Sequence, residues 1–222
     1  MVDGGVGAAA IVERRARGLR KGYEVVKRLR FYLGRDTEHT VYEAELVGIG
    51  LGLQLMRKLI GGVSFVLFLD NQAAIQALEN ISCQPGHYLL DHIHSLINSL
   101  TSGQYRHTLS IEWSPGHVGI ERNEEVDDEA KKAARGDSSS TSNLPKFLRS
   151  PLPISATSAK RFIIDALKAK ASSLWKESER YPKAKDFDLS LPSKQFLKLS
   201  KILRKHRASL LFQLRSGHAP LN

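Results

Sequence analysis

The 222-residue chain holds a single cysteine, Cys83, which excludes an intramolecular disulfide and a thiolate-rich zinc site. One thiol in a chain of this length fits a reducing compartment, and no disulfide-linked partner is expected. Long apolar runs are lacking too. The longest uncharged one, LIGGVSFVLFL from Leu59 to Leu69, is too short to span a bilayer and has the length of a strand. The amino terminus, MVDGGVGAAAIVERRARG, has no basic-then-apolar signal layout. An intracellular protein without a membrane partner is therefore expected. Nucleus and cytoplasm are not separated by these residues, because the short basic run KILRKHR serves as helix surface as readily as an address.

What is present is the composition of a soluble globular chain, 41% apolar and 25% charged, long enough for one substantial core and a smaller appendage. The formal charge of +10 is unevenly placed. Leu144 to Asn222 carries 17 basic and 5 acidic residues, so the excess of positive charge is carboxyl-terminal. Glu13 to Arg35 adds a second local zone with nine basic residues against two acidic ones. Such zones attract a polyanion, although Lys and Arg also serve simply to solvate helix surfaces. Against this background IEWSPGHVGIERNEEVDDEAKKAA stands out. Glu121, Glu124, Glu125, Asp127, Asp128 and Glu129 crowd one predicted helix, directly after a loop that carries His117.

Local patterning predicts a definite order of elements. GGVGAAAIVE and EVVKRLRFYLG have the character of strands, the second ending at Gly34. TVYEAELVGIGLGLQLMRKLI switches to helical spacing, with Val41, Ile49, Leu53 and Met56 near one stripe and a capping box of Thr40 and Glu43 at its start. VSFVLFLD is a continuous apolar run ending in an acid, the pattern of a central strand buried on both faces. NQAAIQALEN and YLLDHIHSLINSLTSG are predicted helices, HTLSIEWSPGH a short strand and loop, and Asn123 a cap for the acidic helix. The result is an α/β layer around a mixed sheet over residues 1–136. A Ser/Pro-rich linker over 137–157 and a basic helical extension over 158–222 follow.

Three carboxylates fall where an ionised acid needs a task. Glu45 projects from the apolar stripe, one turn after Val41 and one before Ile49. Asp70 ends a buried strand, on the side where open α/β sheets place ligands. Asp127 lies in the first turn or two of its helix, where the dipole favours negative charge. Each has a plainer reading: Glu45 paired with an arginine, Asp70 capping the next helix, Asp127 solvated. Together they suggest a site for a hard cation such as Mg2+, which takes oxygen ligands. His117, flanked by Pro115, Gly116 and Gly119, sits in a loop built to move, and an imidazole beside such a cluster can shuttle protons.

TVYEAELVGI, LFLDNQAAIQAL and WSPGHVGIERNEEVDDEAKKAA, in this order and spacing, resemble the three downstream motifs of type 1 ribonuclease H domains. The similarity is to those attached to non-LTR retrotransposon reverse transcriptases of the fungal type, and covers about Gly4 to Ala134. LRSGHAPLN is similar to the segment that follows the domain in such elements. The resemblance implies a ribonuclease H-like mixed sheet flanked by helices and a two-ion Mg2+ or Mn2+ site on Glu45, Asp70 and Asp127. It also implies His117 as the mobile histidine and an RNA–DNA hybrid as the partner. Asn71, Gln72 and Asn123 become candidates to contact nucleic acid. The family's first motif, an Asp-Gly-Ser ending the central strand, has no match. Asp3 is better read as a turn residue before the next strand, so the first strand and first metal-binding aspartate are expected to be missing. An unpaired strand edge is then expected where that strand would lie. Three readings remain open: a metal-dependent endoribonuclease weakened by the missing aspartate, a non-catalytic nucleic-acid-binding remnant of a retrotransposon, and a decayed element fragment with no selected role.

Overall fold

A computed structural model describes residues 3–15, 23–59, 62–80, 86–102, 107–115, 121–182, 185 and 195–216. The chain divides into two compact units, Met1–Arg161 and Phe162–Asn222. The first is a mixture of helices and small sheets whose elements follow the predicted order. Strands β1 (Gly5–Arg15) and β2 (Tyr23–Arg35) precede helix α1 (Val41–Arg57). Strand β3 (Ser64–Leu69), helices α2 (Gln72–Glu79) and α3 (His87–Thr101), strand β4 (Thr108–Trp113) and helix α4 (Glu121–Ala134) complete it. Asp3, with φ of 50°, turns the chain before β1 as expected, and the Asp36 N–H donates to the Gly4 carbonyl at 2.9 Å.

Both predicted capping bonds of α1 form. The Glu43 N–H donates to Thr40 Oγ1 at 3.1 Å, and the Thr40 N–H donates to Glu43 Oε2 at 2.8 Å. This reciprocal pair satisfies backbone donors at the helix start, which lets Glu43 sit almost fully buried. Beyond the cap the helix is buried nearly all round: Leu46, Val47, Ile49, Leu51 and Leu53 are wholly inside. Val41, predicted on the buried stripe, is instead exposed, while Glu43 and Ala44 of the same turn are buried.

The single mixed sheet expected from the sequence is instead two ladders among the described residues. β1 pairs antiparallel with β2, and β3 pairs parallel with β4. Adjacency along the chain explains the first pairing; the α2–α3 crossover needed to bring a parallel strand beside β3 explains the second. Helix α1 lies against both ladders. A Cβ on Gly52 would stand 3.3 Å from Leu67 Cδ1 of β3 and 3.9 Å from the Ala10 Cβ of β1. Helix α4 packs on β1 and β2. Strand β3, predicted to be buried on both faces, is covered on one. Phe65, Leu67 and Leu69 turn toward the core, whereas Val66 and Phe68 on the other face are 47% and 53% exposed.

The stretch read as a linker over 137–157 is packed rather than free. Ser139 and Ser138 hydroxyls accept from the Arg30 and Tyr32 N–H groups at 3.0 and 2.8 Å, extending the edge of β2. Leu144 and Leu148 enter the core, and Phe147 stacks on His92 with ring centroids 4.8 Å apart. Serines and prolines marked loop geometry correctly, but the three apolar residues between them anchor it. Helix α5 (Ala156–Glu177) begins in the first unit and continues into the second, which also holds α6 (Gln195–Ile202) and α7 (Lys205–Ser216). In the second unit Arg215 lies over the Phe196 ring, 4.0 Å from its centroid. No described helix is long and apolar enough to cross a membrane.

Two substitutions test this packing. A Cβ at Gly7 would collide with the Ala134 nitrogen and stand 2.6 Å from the Ala130 carbonyl oxygen, both helix backbone. Gly7→Ala should therefore cost about 3 kcal/mol in urea unfolding. Leu144→Ala should cost about 2–4 kcal/mol if the segment is part of the core, and near zero if it were a solvated linker.

Candidate functional site

Glu45, Asp70 and Asp127 come from three elements. Glu45 is on the second turn of α1, whose capping box and buried body hold that turn rigidly. Asp70 follows the last residue of β3, and Asp127 occupies the second turn of α4. Glu45 is only partly exposed, and its carboxyl is pushed up to about 7. Burial is the largest cause, followed by the negative charges of Asp70 and then Asp127. The three predicted acids are thus electrostatic neighbours. They do not form a finished ligand set: no three or more His, Cys, Asp or Glu side chains among the described residues are grouped to hold a metal ion as they stand.

The plainer readings of two of these acids do not hold. No cation pairs with Glu45 among the described residues. The cap of α2 is Asn71 and not Asp70: its side-chain oxygen accepts from the Ala74 N–H at 3.2 Å. Asp70 is left exposed at the mouth of an open cleft of about 470 Å³. Glu45, Asp70, Asn71, Gln72, Ala73 and Trp113 line it. Gln72 is exposed there.

Asn123 has a different place from the predicted cap. It lies two residues inside α4, and its Nδ2 donates to the Pro115 carbonyl at 2.9 Å and to Ser114 Oγ at 3.4 Å. The amide thereby fastens the helix start to the chain leaving β4. His117 lies outside the described residues.

A second glutamate shows what keeps α4 in position. Glu129 is buried, with Lys132 Nζ at 2.7 Å, Arg28 Nη1 at 3.1 Å and Arg30 Nε at 3.4 Å. Its burial works to raise the pKa, but the Lys132 hydrogen bond, the Arg30 charge and the remaining cationic contacts outweigh it and hold the carboxyl below its usual range. Helix α4 is therefore pinned across β2 by charge, and Asp127 is carried with it.

Trp113 is the site residue that sequence reasoning missed. It ends β4 opposite Leu69, is 50% exposed, and its Nε1–H donates to the Asp70 carbonyl at 3.1 Å. The available signal was position: a large aromatic closing a strand immediately before a Ser-Pro-Gly loop is poorly placed for a core role.

Compared with protein-family models and with curated proteins, the chain matches none.

Chemically, a partly buried carboxyl near pH 7 between two acids can exchange a proton at neutral pH or take part in holding a cation. The sign of its effect on stability is fixed. The folded state holds the Glu45 proton to higher pH than the unfolded chain does, so stability falls as pH rises from about 4.5 to 7 and the loss is complete above that window. Glu45→Gln should match the parent near pH 4.5 and melt higher at pH 8, by about 3 °C after allowing for solvent relaxation around a partly exposed group. Thermal melts of both proteins across that range, in chelator, check this.

Proposed function

We propose that the first unit is a ribonuclease H-like domain acting on the RNA strand of RNA–DNA hybrids, with Glu45, Asp70 and Asp127 holding Mg2+ or Mn2+. One observation carries the reading: Glu45 on α1 and Asp70 at the end of β3 line one open cleft, and burial, followed by the charges of Asp70 and of Asp127 on α4, pushes Glu45 up to about 7. A hard cation is the natural relief for such a cluster, and oxygen-only donors suit Mg2+ and Mn2+. The two ladders support the fold reading, since β1 and β3 lie against the same helix with no described strand between them. The motif order of the sequence supports the substrate reading.

When bound, the ions would supply a nucleophilic water and charge stabilisation at phosphorus. The residues of the chain have distinct duties around that chemistry. The ionised carboxylates of Glu45, Asp70 and Asp127 would hold the cation. Asn71 and Gln72 line the cleft, and their side-chain amides would donate to sugar hydroxyls, the groups that distinguish RNA from DNA. His117 would carry a proton to or from the leaving group. Asn123 acts at one remove, by fastening the chain between β4 and α4. Asp3 supplies no fourth carboxylate, because it belongs to the turn before β1.

Binding of hybrid without cleavage is the second reading. It is favoured by the lack of a grouped metal-ligand set among the described residues and by the basic carboxyl-terminal third. One pair of measurements separates the two. Incubation of a labelled hybrid with Mg2+ or Mn2+ should give RNA cleavage that Asp70→Asn abolishes. Ten times the dissociation constant of Mg2+ should raise the melting temperature by about 3 °C in the parent and not in Asp70→Asn. Product that persists in Asp70→Asn would remove the catalytic assignment. Metal-independent hybrid binding with no product would favour the second reading.

A further inference from the structure

Five of the six residues lining the cleft at the ends of β3 and β4 are acidic, amide-bearing or an alanine; Trp113 is the exception. Acids repel phosphate, and amides recognise hydroxyls without supplying much contact area. The indole is the only broad uncharged surface among these lining residues. Its orientation is fixed. The ladder pairs Leu69 with Trp113, and the Nε1–H bond to the Asp70 carbonyl ties the ring to the segment that carries the carboxylate. A half-exposed ring held by its polar edge presents an open face without a large entropic cost for a ligand to overcome. A nucleotide entering a carboxylate cleft gains most from such a face, because stacking or sugar packing on an aromatic ring is independent of charge and tolerant of sequence.

We propose that Trp113 is a substrate-contacting residue, packing its indole against the sugar or base of the nucleotide next to the scissile phosphate. The inference rests on the hybrid-cleaving reading of the same cleft and adds to it the contact that compensates for acidic repulsion. The ring, rather than its N–H, supplies the contact. Phenylalanine should therefore replace tryptophan, whereas leucine should not.

The chain has two tryptophans, so the test uses a Trp175→Phe background in which Trp113 is the only fluorophore of its kind. Trp175 packs edge-on to Tyr181 in the second unit and takes no part in the cleft. A short RNA–DNA hybrid is titrated in Ca2+, with fluorescence and anisotropy both recorded. Trp113 emission should be quenched on saturation. Trp113→Leu, followed by anisotropy, should weaken binding about tenfold, and Trp113→Phe should stay within about threefold of the parent. A thermal melt accompanies each variant: weakened binding beside an unchanged melting temperature separates a ligand contact from a merely structural role for Trp113. Hybrid binding with no quenching, or Phe and Leu variants equally weakened, overturns the Trp113 proposal while the hybrid reading stands. Absence of hybrid binding in every form, parent included, overturns both. If Trp113→Leu does not fold, quenching in the parent background and retention in Trp113→Phe decide the question.

Discussion

Helix α1 is the part on which both ladders depend. The described strands form two separate pairs, so no backbone ladder carries β3 and β4 into register with β1 and β2. Contact through side chains must do so, and Gly52, within reach of both Leu67 and Ala10, marks where the two halves meet the same helix. A glycine in a helix interior costs about 1 kcal/mol relative to alanine, a penalty offset here by the closeness of the strands it admits. The same helix bears Glu45. Its orientation relative to Asp70 is therefore a packing outcome, set by apolar contacts, and any loosening of α1 would disturb the carboxylates before it unfolded the chain.

Two glutamates in this unit show how surroundings decide the behaviour of one side-chain type. Glu129 is the more deeply buried, yet three cations surround it and hold it ionised. Glu45 is less buried, but burial first and then its acidic neighbours Asp70 and Asp127 drive its carboxyl up to about 7. The first arrangement is structural: it locks α4 to β2, and removing one partner would leave a buried charge uncompensated. The second stores electrostatic repulsion in the native state. Stored repulsion of this sort is worth keeping only where a proton or a cation relieves it, which is why the cleft and not the Glu129 network carries the functional proposal.

Elements set by local chemistry were legible in the sequence. The capping box at Thr40 and Glu43, the turn at Asp3 and the whole strand–helix order of the first unit depend on neighbours a few residues apart. Features set by distant partners were not. Whether VSFVLFLD is covered on one face or two depends on what lies over Val66 and Phe68, and the composition of the run does not encode that. The packing of residues 137–157 turns on Leu144, Phe147 and Leu148 finding α1 and α3, which the surrounding serines and prolines concealed. Asn123 satisfied the chemistry of a cap but sits within the helix, donating to Pro115 instead. The three acids could be picked out one by one, since each is awkward in its own element. Their convergence is a property of the packing, and so is the approach of Trp113.

The charge distribution then has a consistent logic. Under the proposed reading the acidic cleft repels the phosphates of its own substrate, and at physiological salt that repulsion fades within about 8 Å. Attraction over longer distances has to come from elsewhere, and the chain concentrates its positive charge in residues well separated in sequence from Glu45, Asp70 and Asp127. On the proposed hybrid-binding reading, long-range capture falls to lysines and arginines, and local discrimination to amides and an aromatic face. Salt should therefore weaken capture far more than it weakens the contacts inside the cleft. An ionic-strength series would reveal this as a steep loss in association rate beside a nearly constant dissociation rate. A dissociation rate that climbed equally steeply with salt would mean that phosphate contacts, and not the uncharged ones, hold the complex together.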